Sequence, residues 1–80
     1  MPTLTVQYFA ILREQRGLAQ EKLTTSSATP AALYEELRKQ YRFTLPADSV
    51  RAAVNDEFVA ATAELSDGDR VVFIPPIAGG

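Results

Sequence analysis

The sequence predicts an α+β fold in which one mixed β-sheet packs against one main helix. Three observations predict it. The 80 residues suffice for one domain with a modest core, and their composition, 46% hydrophobic and 22% charged, is that of a globular protein. One stretch repeats its apolar residues at helical spacing. Several others have the alternating or continuous apolar pattern of strands, in the order strand, strand, helix, strand, strand, strand. Residues 1–80 are therefore interpreted as a single domain.

The first two predicted strands form the beginning of the sheet. Residues 3–9 alternate polar and apolar side chains, as a half-buried strand does. Its inward-facing residues are Leu4, Val6 and Tyr8. A charged connection from Arg13 to Gly17 follows, and then a second strand from Ala19 to Thr25. With Gly17 as the turn residue, the two strands are predicted to form a hairpin.

The single predicted helix runs from Pro30 to Tyr41. Thr29 is suited to be its N-cap, and Pro30 fits the first helical position, where a missing N–H costs nothing. Leu33, Leu37 and Tyr41 recur every four residues and so predict one buried stripe.

A second predicted hairpin follows the helix. Residues 43–49 break the periodicity and are predicted to be a loop held by Phe43 and Leu45. A third strand is predicted from Val50 to Val54, then a turn at Asn55-Asp56, then a short strand from Glu57 to Ala60.

The last predicted strand, Arg70 to Ile74, is apolar on both faces and ends at Pro75-Pro76. Such a run is typical of a central strand. The β-grasp (ubiquitin-like) roll satisfies the whole order of elements, and in that fold the first and last strands lie side by side and parallel at the centre. The C-terminal tail is then predicted to leave from the middle of the sheet.

Composition excludes several classes of function. The net charge of −2 and the scattered Lys and Arg residues argue against nucleic-acid binding. No apolar run approaches the ~20 residues of a membrane span, and the first residues do not form a signal peptide, so a cytoplasmic location is predicted. The chain contains no Cys and no His, which excludes thiol nucleophiles, Ser-His triads and thiolate or imidazole metal sites. Asp67 and Asp69 flank Gly68 as turn residues, and no metal is assigned.

The C-terminal tail, residues 75–80, is the predicted functional segment. Pro75 and Pro76 favour an extended backbone that cannot hydrogen-bond back onto the sheet. Ile77 is the one large apolar residue of the tail and is interpreted as an anchor in a partner's channel. The small residues that follow let a partner approach closely, so the carboxylate is a reachable substrate. They are Ala78, Gly79 and Gly80.

Alternation along the strands predicts an apolar patch beside this tail. If the inward-facing residues meet the helix, then Phe9, Val72 and Ile74 face the opposite side of the sheet, and Phe58 joins them. A patch beside a reactive terminus is interpreted as a docking surface.

These residues resemble a known family, the MoaD family of molybdopterin synthase small subunits. The resemblance rests on the ending Leu65 to Gly80, with its Asp-Gly-Asp turn and its Pro-Pro before Gly-Gly. It also rests on Tyr8-Phe9-Ala10 followed by Leu12-Arg13-Glu14, and on Ala53-Val54-Asn55.

The resemblance implies a sulfur carrier that is a non-catalytic subunit and binds no cofactor of its own. An ATP-dependent activating enzyme (MoeB-like) adenylates the carboxylate of Gly80 with Mg²⁺, and sulfur from a persulfide donor displaces AMP to leave a thiocarboxylate. The large synthase subunit (MoaE-like) uses that sulfur in molybdenum cofactor biosynthesis, within a heterotetramer of two small and two large subunits. The family's partner contacts carry over to Phe9, Phe58 and Ile74.

Three alternatives stay open at the level of sequence. A sulfur carrier for thiamine or cysteine biosynthesis shares the fold and the diglycine, although Pro75-Pro76 argues against the thiamine carriers. A ubiquitin-like protein modifier that forms isopeptide bonds through Gly80 shares the activation step. An interaction module with an inert tail is the third.

Overall fold

A computed structural model describes residues 1–76 of the chain. The strands are β1 (Thr3–Tyr8), β2 (Gln20–Thr24), β3 (Arg51–Val54), β4 (Glu57–Val59) and β5 (Arg70–Ile74). The helices are α1 (Ala10–Arg16) and α2 (Pro30–Tyr41), and a 3-10 turn (Ala47–Ser49) precedes β3. Within the described residues the strands form one five-stranded mixed sheet in the order β2-β1-β5-β3-β4.

Strand β5 lies at the centre of the sheet. It pairs parallel with β1, where Val6 lies opposite Val71 and Tyr8 opposite Phe73. On its other side it pairs antiparallel with β3. The predicted central, parallel arrangement of the first and last strands is therefore confirmed, and it explains why β5 is apolar on both faces.

Helix α2 begins and ends at the predicted residues. The side-chain oxygen of Thr29 accepts a hydrogen bond from the backbone N–H of Ala32 at 3.2 Å, which caps the helix. The Tyr34 ring packs edge-on against the Phe73 ring at 5.3 Å and so joins α2 to the centre of the sheet. The buried core between α2 and this face of the sheet consists of Leu4, Val6, Tyr8, Leu12, Leu33, Tyr34, Leu37, Phe43, Ala52, Val71 and Phe73.

The predicted connection from Arg13 to Gly17 is wrong, because the chain forms helix α1 there. Gly17 ends the helix at φ 84°, and its N–H donates to the carbonyl oxygen of Arg13 at 2.9 Å. This left-handed C-terminal cap is the usual role of a glycine after a helix. Strands β1 and β2 do pair antiparallel, but through a helix and not through a tight turn.

Smaller differences concern element ends. β2 is shorter than the predicted strand from Ala19 to Thr25, β3 begins one residue after Val50, and β4 ends one residue before Ala60. The turn at Asn55-Asp56 is confirmed, since both residues have positive φ angles, 51° and 73°, as a two-residue hairpin turn requires.

Candidate functional site

The predicted tail leaves the sheet where β5 ends. Ile74 still pairs with Arg51 of β3, whereas Pro75, which follows it, lacks the N–H that a further ladder bond needs. Pro75 is buried and Pro76 is exposed. The remaining predicted tail residues lie outside the described residues; they are Ile77, Ala78, Gly79 and Gly80.

An apolar groove of about 430 Å³ lies at this point. We call it the tail-root groove, and its lining residues are Phe9, Ala10, Ile11, Leu45, Ile74, Pro75 and Pro76. Phe9 is 48% exposed and Ile11 is 39% exposed, so the groove presents large apolar side chains to solvent. Two of the three predicted partner contacts, Phe9 and Ile74, therefore share one surface with both prolines.

Helix α1 supplies one wall of this groove. Phe9 is the extended N-cap residue of α1, and Ala10 turns the chain into the helix with a positive φ of 52°. Leu12 is fully buried in the core, which fixes the face that α1 presents inward. Ile11, the neighbouring residue, is left on the outer side against the groove.

A charged network holds the end of α1 against the sheet. The Arg16 guanidinium donates to both carboxylate oxygens of Glu21, with Nε–Oε2 at 2.7 Å and Nη2–Oε1 at 2.8 Å. The Tyr8 hydroxyl donates to Oε2 of the same carboxylate at 2.7 Å. The Arg16 guanidinium carbon also lies 3.9 Å from the centroid of the Tyr41 ring.

The pKa values of these groups follow from the contacts. The hydrogen bond from Arg16 holds the pKa of the Glu21 carboxyl below its usual value, and the bond from Tyr8 adds to the effect. Burial raises the pKa of the Tyr8 hydroxyl, and its bond to Glu21 raises it further. The network is thus an ionised carboxylate between a cation and a neutral phenol, which suits a structural role.

The third predicted contact, Phe58, lies elsewhere on the sheet. We call the sheet face opposite α2 the open face. Strand register places Phe58 opposite Ala53, which lies opposite Val72, in one row across that face. Ala53 and Val72 are each only 7% exposed, whereas Phe58 is 65% exposed. Val72, Ile74 and Phe58 therefore lie on the predicted face, but the exposed apolar side chains fall in two places, the tail-root groove and Phe58, with Arg51 between Phe58 and Ile74. The docking role of these residues stays a prediction.

Sequence reasoning missed three residues of the groove: Ala10, Ile11 and Leu45. The residues after Phe9 are mostly strong helix formers and are followed by Gly17, a typical residue after the end of a helix. This pattern could have predicted α1 from the sequence. Leu45 comes from a separate loop, and only the folded chain brings it to the groove.

The described residues contain no metal-binding cluster. Within residues 1–76, no three carboxylate side chains come together where they could hold an ion. Asp67 accepts a hydrogen bond from the backbone N–H of Thr3, and Asp69 accepts one from the N–H of Ser66, so both carboxylates serve the turn around Gly68. Neither helix of this part of the chain has the length and apolar character needed to cross a membrane.

Comparison with known proteins gives matches over almost the whole chain. A model of the ThiS family matches residues 6–80. The molybdopterin synthase sulfur carrier subunit of Escherichia coli is 32% identical over an alignment of 80 positions, gaps included, that covers 96% of this chain and 99% of that protein. The corresponding subunit of Mycobacterium tuberculosis is 32% identical over an alignment of 83 positions, gaps included, that covers 100% of both chains.

Solved structures agree with the fold. A Pyrococcus furiosus protein described as molybdopterin converting factor subunit 1 is 31% identical, with a TM-score of 0.78 over 96% of this chain and 100% of that one. A chain from the complex of subunits 1 and 2 of the Helicobacter pylori molybdopterin-converting factor is 20% identical, with a TM-score of 0.67 over 98% of this chain and 99% of that one, and supports the fold alone. The predicted β-grasp fold is confirmed.

Proposed function

The chain belongs to the ThiS family, and we propose that it is the sulfur carrier subunit of a molybdopterin synthase. The resemblance to the MoaD family is confirmed by full-length relatives at 29–32% identity, each a molybdopterin synthase sulfur carrier subunit. These relatives favour the molybdopterin pathway over the thiamine and cysteine pathways.

One structural observation carries the proposal for this chain. The central strand β5 ends at Ile74, and Pro75-Pro76 follow it beside the exposed tail-root groove. A rigid sheet thus fixes the origin of the tail, and an apolar surface for a partner lies at that origin. A partner that binds this apolar surface therefore receives the tail in the same step.

The proposed reactive group is the carboxylate of Gly80. An activating enzyme uses ATP and Mg²⁺ to form the acyl adenylate with release of pyrophosphate, so that AMP becomes the leaving group in place of a poor leaving oxygen. The outer sulfur of a persulfide donor then displaces AMP and forms an acyl disulfide. A second thiol, from the donor or a reductant, cleaves the S–S bond, forms a disulfide with the donor sulfur and leaves the thiocarboxylate. The proposed task of this chain is to position its carboxylate, and with no Cys and no His in its sequence it offers no thiol or imidazole to the reaction.

Each tail residue has a proposed task in that cycle. Pro75 and Pro76 keep the backbone extended and without donors, so the carboxylate stays away from the sheet. Ile77 anchors the tail in the partner's channel. The segment from Ala78 to Gly80, with Gly79 before the reactive residue, is narrow enough to pass through it.

The proposed partners are the activating enzyme and the large subunit of the synthase. The Helicobacter pylori neighbour is a complex of subunits 1 and 2, which is the precedent for a large-subunit partner. Phe9, Phe58 and Ile74 are the proposed contacts, because two of them lie at the tail root and the third is 65% exposed on the open face. The proposed assembly is a cytoplasmic heterotetramer of two small and two large subunits.

The test is a reconstitution with purified proteins. The full chain is incubated with the activating enzyme, ATP, Mg²⁺, a persulfide donor and a thiol reductant, and the mass of the C-terminal peptide is measured. We expect the mass change of one oxygen-to-sulfur exchange, and molybdopterin formation once the large subunit and the pterin precursor are added. A variant lacking Gly80 should keep the fold and lose both signals.

Three results would contradict the proposal. Molybdopterin formation by the variant without Gly80 would show that the terminus is not the reactive group. Lysine-linked conjugates in cell extract, with no sulfur at the terminus, would instead favour a protein modifier. An unchanged C-terminal mass would favour an inert tail.

A further inference from the structure

The charged residues that the strands place on the open face of the sheet are of one sign. Register places the side chains of Lys22, Arg51 and Arg70 on this face, because they alternate with the residues that face the core. The two acidic strand residues, Glu21 and Glu57, pair with Val6 and Val54 and so lie on the side of α2. The charged strand residues of the open face are therefore all basic.

This distribution opposes the charge of the whole chain. The net charge is −2, so removing these three positive charges leaves −5 on all other residues. Arg70 is already paired, since its guanidinium donates to the carboxylate of Asp56. Arg51 makes no ion pair within residues 1–76, although Asp48 lines the same depression beside it. The uncompensated guanidinium on this face is that of Arg51.

Arg51 is also held in a defined place. Its guanidinium carbon lies 5.4 Å from the centroid of the Phe58 ring, within cation–π distance. The contact orders a long side chain in advance and leaves the edge donors of the guanidinium free for a planar, bidentate acceptor. Phe58 is 65% exposed, so a partner that covers the ring also removes water from around the charge.

The position of Arg51 links it to the tail. In the ladder between β3 and β5, Arg51 lies directly opposite Ile74, the last residue before the two prolines. Residues opposite each other on antiparallel strands have Cβ atoms about 5 Å apart. An acceptor bound to Arg51 therefore lies next to the point from which the tail leaves.

From these observations we infer that the large subunit of the synthase presents an aspartate or glutamate carboxylate to Arg51, set in an apolar surface that covers Phe58. This inference rests on the proposed function and adds the chemistry by which the partner recognises this carrier. Phe58 and the tail-root groove supply apolar contact area, and Arg51 supplies a directional contact that rejects a partner without the acid.

The test measures the affinity of the full chain for the large subunit encoded in the same genome, by calorimetry at low and high salt. Arg51→Gln should weaken binding about tenfold, and Arg51→Lys several-fold, since a point charge does not reproduce the planar fork. Lys39→Gln is the matched control, because it removes the same charge from an exposed site on α2. It should change the affinity by less than about twofold. Because salt screens the interaction between charges, adding salt should reduce the difference in affinity between wild type and Arg51→Gln.

Two controls separate the possible failures. The thermal midpoints of the variants should match that of wild type, because Arg51 and Lys39 are both exposed. Equal affinities for wild type and Arg51→Gln would overturn the inference and leave the proposed function intact. An equal loss in Arg51→Gln and Lys39→Gln would also overturn it, because net charge and not a local contact would then set the affinity. A wild-type chain that neither binds the large subunit nor delivers sulfur to it would overturn both.

Discussion

Replacing Glu21 by glutamine tests whether the charged network stabilises the wall of the tail-root groove. The carboxylate accepts three hydrogen bonds, two from Arg16 and one from Tyr8, at 2.7–2.8 Å. Glutamine has about the same size but only one acceptor oxygen. Its NH2 group would point a donor at the donor groups of Arg16 or Tyr8. The substitution thus removes the charge and breaks the bidentate pair without leaving a cavity.

The magnitude follows from the contacts and their exposure. Hydrogen bonds to charged groups are worth about 1.5–3 kcal/mol each when buried. The side chains of Arg16 and Glu21 are 20% and 16% exposed, so solvent weakens the pair, and freeing the Arg16 side chain returns some entropy. We therefore expect Glu21→Gln to lower the free energy of unfolding by about 2 kcal/mol, which in a domain of this size lowers the melting temperature by about 8–16 °C.

The assay is urea unfolding at several pH values. The folded pKa of Glu21 lies below its usual value of about 4.3, so the folded state binds this proton less readily than the unfolded chain. The stabilisation is complete above that usual value and is lost as the pH falls through the lower, folded pKa. The difference in the free energy of unfolding between wild type and Glu21→Gln should therefore have its full size at pH 7 and decrease below about pH 4.3.

Glu14→Gln is the matched control, because Glu14 is exposed on α1 and makes no ion pair within the described residues. It should change the free energy of unfolding by less than about 0.5 kcal/mol. The reasoning is refuted if Glu21→Gln unfolds at the wild-type urea concentration at pH 7. It is equally refuted if the gap between the two proteins is the same in acid.

Three further predictions concern the helix ends and the apolar surface. Thr29→Ala removes the side-chain cap on the Ala32 N–H and should cost about 1 kcal/mol in urea unfolding; an unchanged urea midpoint would contradict that role. Arg42 ends α2 with a left-handed backbone at φ 60°, which glycine adopts without strain. Arg42→Gly should therefore raise the free energy of unfolding by about 0.5 kcal/mol. A lower melting temperature of this variant would contradict the relief of backbone strain. Phe9→Ala and Phe58→Ala should each weaken binding of the large subunit about tenfold, as measured by calorimetry. Because these rings are 48% and 65% exposed, each substitution should change the free energy of unfolding by less than about 1 kcal/mol, as checked by thermal melts. An unchanged affinity would show that the substituted ring does not contact the large subunit.

The parts of the fold with redundant local signals could be predicted from the sequence. Helix α2 has an N-cap at Thr29, a proline at its first position and an apolar residue in each turn, so several signals agree on its bounds. Strand β5 is an unbroken apolar run ended by a proline. Helix α1 could not be found by periodicity, because a seven-residue helix with one buried residue, Leu12, does not repeat.

The candidate site could be predicted only as far as single segments reach. Alternation along β5 and β1 predicts which side Ile74 and Phe9 occupy, but the groove they share also needs Leu45 from a distant loop. The contact between Arg51 and Phe58 depends on the register of β3 and β4. The Asn55-Asp56 turn sets that register, since a two-residue turn pairs Val54 with Glu57 and then Ala53 with Phe58.

The central place of β5 has a consequence for the order in which the protein matures. Within residues 1–76 the pairs β1-β2 and β3-β4 share no ladder with each other, and β5 is the strand that joins them. Because β5 is the last of these strands to be synthesised, the sheet cannot close while the ribosome still holds that segment. Closure of the sheet and completion of the tail-root groove, which Ile74, Pro75 and Pro76 line, therefore depend on the same late step. A chain that ends before β5 has neither the closed sheet nor this side of the groove, so a partner that binds the groove does not bind incomplete chains.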